Sequence, residues 1–224
     1  MSTEVELDNW STYWKPYQVK PPEGGIAEMQ QQLLGLDSKA WPVKTYVKSG
    51  QIRVRGMVHV RSLYPEVLLL AAEVVSKSIN VRGVFRMIFL GDLVLVENDA
   101  ENLAYTLFAQ YFCPLLGIEE TKEVRVNAMR VRSLAMKSTP TRLTLLVNNQ
   151  TAGVDGLEQI TLVGENIMRG IKTLKDRQEV DLKADSIGPW VEVETLHLRY
   201  KMGEGVFVKE VSESTFAVVR STLV

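Results

Sequence analysis

The chain has 224 residues, of which 46% are hydrophobic and 24% are charged, which is typical of one globular domain or of one domain with an arm. Its single cysteine, Cys113, excludes a disulfide framework and favours a reducing compartment. No basic and apolar signal sequence opens the chain, and no apolar run reaches membrane-spanning length, so we expect a cytosolic protein.

The net charge of −1 conceals a strong asymmetry along the chain. Residues 1–38 hold two lysines against six acidic residues, a net charge of −4. Residues 44–86 hold eight basic residues against two acidic ones, and residues 122–142 hold six against one, giving net charges of +6 and +5. An acidic segment on a basic body indicates attraction to an anionic partner or between copies of the chain.

Residues 1–39 are predicted to form a flexible, partly disordered N-terminal arm, because they are polar and interrupted by proline and glycine. Aromatic residues recur within it at the spacing i, i+3, i+4, i+7, which places them on one helical face: Trp10, Tyr13, Trp14 and Tyr17. They would pack on their own domain, dock into a neighbouring copy, or sit at a membrane interface. An acidic arm is a poor ligand for an anionic membrane, so we expect docking into a neighbouring copy.

The globular part is predicted to span residues 40–224. Period-2 alternation predicts a half-buried strand over 52–62, and Pro65 is expected to begin an apolar core helix over 65–78. A second hydrophobic run covers 84–96. The other predicted elements are a helix over 26–36, a helix over 100–112 capped by Asp99, a basic strand over 124–132, a strand over 143–147, a helix over 157–175, strands over 190–200 and 206–211 joined by a Gly203–Gly205 turn, and a strand over 215–219. Helices inserted between antiparallel strands predict a single α+β domain, with a mainly antiparallel sheet and helices packed against it.

No residue pattern indicates an enzyme, a cofactor site or a metal site. His59 and His197 are the only histidines, and neither has cysteine or carboxylate neighbours at metal-ligand spacing. Ser62 and Ser138 lack a nearby base and a nucleophile-elbow setting. An enzyme assembled from scattered carboxylates is the function class that the sequence favours least.

Arginines at alternate strand positions are either ordinary solvated surface or a patch that meets phosphate. The patch would contact anionic lipid headgroups or a ribonucleoprotein through Arg53, Arg55, Arg61, Arg130 and Arg132. Stacking aromatics are not found beside these arginines, so the pattern does not favour sequence-specific RNA reading.

The segment from Met57 to Gly91 resembles the core of rhabdovirus matrix proteins of the vesiculovirus type. The likeness lies in Met57-Val58-His59-Val60-Arg61-Ser62, then a proline and an Ala/Val-rich segment, then Val84-Phe85-Arg86-Met87-Ile88-Phe89-Leu90-Gly91. Beyond these residues, only the order of elements is similar.

The resemblance implies a non-enzymatic viral structural protein that self-associates, condenses the ribonucleoprotein and links it to the envelope during assembly and budding. Its partners would be further copies of itself, the viral nucleocapsid and the anionic inner leaflet, without a small-molecule substrate. It would be found in the virion beneath the envelope, in the host cytoplasm and on the inner face of host membranes. Two family features are missing, since the arm is acidic and Pro21-Pro22-Glu23-Gly24 lacks the tyrosine of a late-domain motif. The alternative is a non-viral cytosolic adaptor or assembly protein of α+β fold.

Overall fold

The structure, a computed structural model, describes residues 13–37, 40–47, 50–76, 81–99, 102–126, 130–131, 133, 142–147, 159–176, 182–193, 198–201, 205–208 and 212–223. Mainly antiparallel strands with several helices confirm the predicted α+β class. Contacts within the structure divide the chain into two compact units, Met1–Val124 and Arg125–Val224. The predicted boundary at residue 39/40 does not coincide with this division.

The first unit holds most of the described strands. They are β1 (Tyr13–Val19), β2 (Ala40–Val47), β3 (Gly50–Tyr64), β4 (Val67–Ser76), β5 (Val81–Leu90), β6 (Leu93–Glu97) and β7 (Thr121–Glu123). Helix α1 (Gly25–Leu34) follows β1, and α2 (Leu103–Leu107) continues through a π-helical turn (Phe108–Phe112) into α3 (Cys113–Leu115).

The sheet of this unit is an antiparallel meander with its first strand returned to the far side. The order is β2-β3-β4-β5-β6-β1, and β7 pairs with the other edge of β1. Leu90 pairs with Leu93 across the two-residue turn Gly91–Asp92, and Gly91 has φ +67°. A positive φ at the first turn residue is typical of tight hairpins and costs glycine little.

Both faces of this sheet bury apolar side chains. One face packs against α1, α2 and the π-helical turn, and we call it the helix face; its sheet residues include Val58, Leu68, Leu70, Ala72, Phe85, Met87, Phe89, Val94, Val96, Tyr17 and Val19. The alternate residues form the second face, and Trp14, Leu69, Ala71, Ile88, Leu93 and Leu95 are all 0% exposed there. The first unit therefore has an apolar layer on each side of the sheet.

The predicted arm and its helical aromatic face are wrong for the described residues. Tyr13–Val19 is strand β1, hydrogen-bonded on both sides to β6 and β7. Because side chains alternate in a strand, Tyr17 belongs to the helix face and Trp14 to the second face. Residues 25–34 are helical nearly as predicted, but they cover the sheet instead of belonging to an arm. Trp10 lies outside the described residues.

The predicted core helix over 65–78 is also wrong, because Val67–Ser76 is strand β4. This strand lies between β3 and β5, so its residues are buried alternately on both faces and the segment is apolar throughout. A short apolar run of this kind has no period that separates a central strand from a buried helix. Pro65 begins a hairpin turn instead of a helix, and Glu66 beside it has φ +61°.

The helix predicted over 100–112 is confirmed from Leu103 onwards, together with its cap. The Asp99 carboxylate accepts hydrogen bonds from the backbone N–H groups of Leu103 (2.9 Å) and Ala104 (2.8 Å). These are donors that a helix N-terminus leaves without partners, so the cap fixes where α2 begins. The π-helical turn then keeps Phe108 and Phe112 in the core.

The second unit contains β8 (Arg142–Val147), β9 (Gln159–Val163), α4 (Ile167–Asp176), β10 (Leu182–Val193), β11 (Leu198–Lys201), β12 (Gly205–Val208) and α5 (Glu213–Leu223). All described strand pairs are antiparallel, in the order β12-β11-β10-β8-β9. The predicted strand over 143–147 is confirmed as β8. The strands on either side of the predicted Gly203–Gly205 turn pair antiparallel, with Lys201 opposite Gly205, while residues 203 and 204 lie outside the described residues.

Other predictions for the second unit need correction. The helix predicted over 157–175 begins only at Ile167, because β9 occupies 159–163. The strand predicted over 215–219 is part of α5, whose start is fixed by a hydrogen bond from the Thr215 N–H to Ser212 Oγ (3.1 Å). Phe216, Val219 and Leu223 recur at helical spacing on its buried side.

The basic strand predicted over 124–132 is wrong for the residues that the structure describes there. Val124–Val126 has no regular secondary structure, and Arg130 and Val131 have helical backbone.

Candidate functional site

The candidate site is the end of the first sheet where β2 and β3 pair. Register places Lys44 opposite Arg53. In the next row, Arg55 is opposite Val75, and Val75 is opposite Arg82. We call Lys44, Arg53, Arg55 and Arg82 the distal basic positions.

These positions share one side of the sheet by backbone register. Paired residues in an antiparallel sheet lie on the same face, and alternate residues along a strand return to it. By this rule the distal basic positions fall on the side that carries Arg61 and Arg86 further along the strands. The sheet thus gathers four basic residues that are up to 38 positions apart in the chain (44 to 82) into two adjacent rows.

The charge at this end of the sheet is one-sided. The described residues of 40–57 and 73–84 include four basic residues and one acidic residue, Glu73, a net charge of +3. Glu73 occupies the following row, opposite Met57 and Val84. Lysine and arginine clustered in this way bind phosphate groups through charge and fixed hydrogen-bond donors.

The other predicted phosphate contacts have separate positions. Arg61 has an exposed side chain on β3, opposite Leu69. Arg130 is also exposed, but it belongs to the second unit and has helical backbone. Arg132 lies outside the described residues. The rows therefore bring Arg53 and Arg55 together with two basic residues that the sequence pattern does not single out, Lys44 and Arg82.

Arg86 is a base that contributes little to surface charge. Its Nη2 lies 2.6 Å from Glu97 Oε1, its Nε donates to Glu97 Oε2 at 3.3 Å, and both side chains are 11% exposed. This pair occupies the second face, in a row where His59 is opposite Ala71, Ala71 is opposite Arg86, and Glu97 is opposite Trp14. The Arg86–Glu97 pair is largely buried within the first unit. Fewer basic side chains are therefore available at the surface than the number of basic residues in the sequence suggests.

The predicted self-association residues lie within their own unit. Trp14 is 0% exposed and Tyr17 is 5% exposed, while Tyr13 is half-buried. The Tyr17 ring stacks on Tyr105 with centroids 4.8 Å apart, and Phe108 lies 6.0 Å away. Burial, followed by the neighbouring Glu123 carboxylate, raises the pKa of the Tyr17 hydroxyl well above its ordinary value. These contacts make Trp14 and Tyr17 core residues, and they do not serve as anchors for a second copy.

Lys44 and Arg82 were missed because their neighbours in the sheet were not predicted. Lys44 lies in a segment with the strand-like sequence Thr45-Tyr46-Val47, a signal for pairing with the next strand. Arg82 comes close to Arg55 only if residues 67–76 form a strand between them. The helix that was predicted for these residues would have kept Arg82 and Arg55 apart. The signal that predicts this strand is the turn at Pro65–Glu66.

Neither a metal-ligand cluster nor a membrane-spanning helix is found in the described part of the chain. No group of three or more His, Cys, Asp or Glu side chains there is placed to hold a metal ion. His59 is half-buried, and His197 lies outside the described residues. No described helix is long and apolar enough to cross a membrane. Burial raises the pKa of the Cys113 thiol to about 12, which removes it as a nucleophile near neutral pH.

No protein-family model matches the chain, and no curated protein sequence matches it.

Proposed function

We propose that this chain is a non-enzymatic, self-associating structural protein of the viral matrix type. In this proposal it condenses a ribonucleoprotein and links it to the inner face of an envelope during assembly and budding. The observation that carries the proposal is the pairing register that places Lys44, Arg53, Arg55 and Arg82 in two adjacent rows. A surface of this kind binds a polyanion without reading its sequence.

The ribonucleoprotein is the partner assigned to the distal basic positions. In the described parts of residues 40–57 and 73–84, Glu73 is the one acidic residue that opposes attraction to a phosphate backbone. Phosphate contacts of this type release counterions, and binding then weakens steeply with salt. Condensation of a helical nucleocapsid requires affinity for backbone phosphates along its whole length, and such contacts provide it independently of base sequence.

Self-association is assigned to accessible apolar side chains and not to the buried aromatics of β1. Leu34, Met57 and Leu115 are the large apolar side chains that are well exposed in the described residues of the first unit, at 41–48%. Each is available to a second copy without unfolding of its unit.

The test compares the full chain with an Arg53→Gln/Arg55→Gln variant in binding to single-stranded RNA, measured by fluorescence anisotropy over a series of salt concentrations. Loss of two phosphate contacts lowers the affinity and reduces the slope of log affinity against log salt by about 1.4, at about 0.7 for each contact. Sedimentation velocity on the same samples measures self-association.

A Lys20→Gln/Lys122→Gln variant is the matched control. It removes the same charge from two exposed side chains outside the rows, so its salt slope should equal that of the wild type. An unchanged affinity and slope in Arg53→Gln/Arg55→Gln contradicts the assigned surface. A wild-type chain that remains monomeric and binds neither RNA nor anionic vesicles contradicts the matrix function and favours a cytosolic adaptor.

A further inference from the structure

Helix α4 (Ile167–Asp176) in the second unit presents basic residues on its exposed side. Ile167 is 5% exposed and Ile171 is half-buried, whereas Arg169 and Lys172 are exposed. Arg169, Lys172 and Lys175 are spaced three residues apart, so their positions lie along one side of the helix. Residues 165–177 carry four basic residues against two acidic ones, a net charge of +2.

An exposed apolar residue lies next to this helix in the chain. Val163, the last residue of β9, is 70% exposed, the largest exposure among the large apolar side chains of the described residues. It precedes the turn Gly164–Asn166, and Gly164 has φ +149°. The Gly170 N–H donates to the Asn166 carbonyl (3.1 Å), so the helical hydrogen-bond pattern extends back into this turn. The chain therefore passes directly from an exposed apolar tip to a basic helix.

We propose that α4 and Val163 form the surface by which this chain binds an anionic lipid bilayer. The basic side chains would meet lipid phosphates and carboxylates, and Val163 would enter the headgroup region. This inference rests on the proposed function and deepens it, because it assigns the membrane link to the second unit and leaves the distal basic positions to the ribonucleoprotein.

The chemistry of α4 favours lipid over nucleic acid. Single-stranded nucleic acids bind on surfaces where bases stack on aromatic side chains, and residues 159–177 contain none. Basic side chains on the outer side of a helix, next to one exposed apolar residue, are instead suited to an anionic membrane surface. The modest net charge and one apolar contact give weak, reversible attachment, as expected for a protein that acts in many copies.

The experiment is co-sedimentation of the full chain with phosphatidylcholine vesicles, with and without phosphatidylserine. Each basic residue near an anionic surface strengthens partitioning about fivefold. The Arg169→Gln/Lys172→Gln variant should therefore bind phosphatidylserine vesicles about 30-fold more weakly. Both side chains are exposed, so the variant should unfold at the wild-type temperature. Val163→Trp should bind more tightly, because tryptophan favours the bilayer interface.

Lys20→Gln/Lys122→Gln is again the control, with the same loss of charge in the first unit and unchanged vesicle binding expected. Unchanged vesicle binding in Arg169→Gln/Lys172→Gln overturns the lipid surface, while the matrix function stands if Arg53→Gln/Arg55→Gln still loses RNA binding. If Arg169→Gln/Lys172→Gln loses RNA binding as strongly as vesicle binding, α4 is a general polyanion surface and the lipid assignment is wrong. If the wild-type protein does not co-sediment with phosphatidylserine vesicles, both the proposed lipid surface and the membrane link of the proposed function are wrong.

Discussion

The backbone N–H of Arg86 donates to Glu97 Oε2 at 2.9 Å, while the Arg86 guanidinium holds the other carboxylate oxygen of Glu97 at 2.6 Å. The Glu97 carboxylate on β6 thus accepts hydrogen bonds from both the main chain and the side chain of Arg86 on β5. The neighbouring positions Ile88, Leu93 and Leu95 are 0% exposed, so this charged pair lies at the margin of an apolar layer.

Glu97→Gln should destabilise the protein by about 3–5 kcal/mol, because it removes the carboxylate charge that pairs with the largely buried Arg86 guanidinium. Urea unfolding followed by circular dichroism measures the change. Glu119→Gln is the comparison, since Glu119 is 81% exposed and lies 3.8 Å from Lys20 at the surface, where pairs contribute little. A Glu97→Gln protein as stable as the wild type would show that this pair is dispensable.

Trp14→Ala should cost about 3–5 kcal/mol of stability, as expected for removal of a large aromatic side chain that is 0% exposed. Leu34→Ala should have a much smaller effect, because Leu34 is 48% exposed on α1. Thermal unfolding gives both values. At temperatures where Trp14→Ala is folded, sedimentation should give the wild-type oligomeric state. A selective loss of assembly without loss of stability would restore β1 as a docking element.

Glu66→Gly should stabilise the protein by about 0.5–1 kcal/mol. Glu66 has φ +61° in the turn between β3 and β4, a region that side chains disfavour and glycine adopts freely. The gain is reduced by the larger conformational freedom of glycine in the unfolded chain. Thermal unfolding of Glu66→Gly and of Glu73→Gly tests the position dependence, because glycine within β4 should destabilise. Equal destabilisation by both changes would contradict the strained turn.

Stability should fall as pH rises from about 9 towards 12. Burial raises the pKa of the Cys113 thiol from 9.0 to about 12 and that of the Tyr200 hydroxyl from 10.0 to about 12. In this window the unfolded chain loses these protons while the folded protein retains them, so each group removes up to about 1.4 kcal/mol of stability per pH unit.

Urea unfolding at a series of pH values measures the decline, and Cys113→Ala reports the share of the thiol, since its pH dependence should be shallower between 9 and 12. A Cys113 thiol that reacts with a thiol reagent at the rate of a free cysteine at pH 8–9 would contradict the raised pKa.

Local signals in the sequence were sufficient where one residue fixes the backbone. Asp99 predicts the start of α2, and the Gly203–Gly205 turn predicts the β11–β12 hairpin, because a cap and a glycine turn act within a few residues. The alternation from Ile52 to Ser62 likewise predicts β3. Pairing with β4 keeps the side chains of β3 alternating between the two faces of the sheet.

Long-range pairing explains the principal errors. The aromatic spacing from Tyr13 to Tyr17 fits a helix, but hydrogen bonds to β6 and β7 make it a strand, and those partners are about 80 and 105 residues away. Val67–Ser76 is apolar because both of its faces are covered, a property that depends on β3 and β5. Prediction of the candidate site failed for the same reason, because Arg82 and Arg55 share a row of the sheet only when β4 lies between their strands.

The place of β1 also constrains how the protein is made. Its hydrogen-bonding partners are Leu93–Glu97 on one side and Thr121–Glu123 on the other, so it lies between two strands synthesised long after it. On the ribosome, β2 to β5 can pair as successive hairpins while residues 13–19 have neither of these partners until residues 93–97 emerge, and the second partner follows only with residues 121–123. Such long-range closure slows folding and leaves Trp14 and Tyr17 exposed in the nascent chain. We expect chaperones to engage the nascent chain most strongly at these aromatics until β7 has left the exit tunnel.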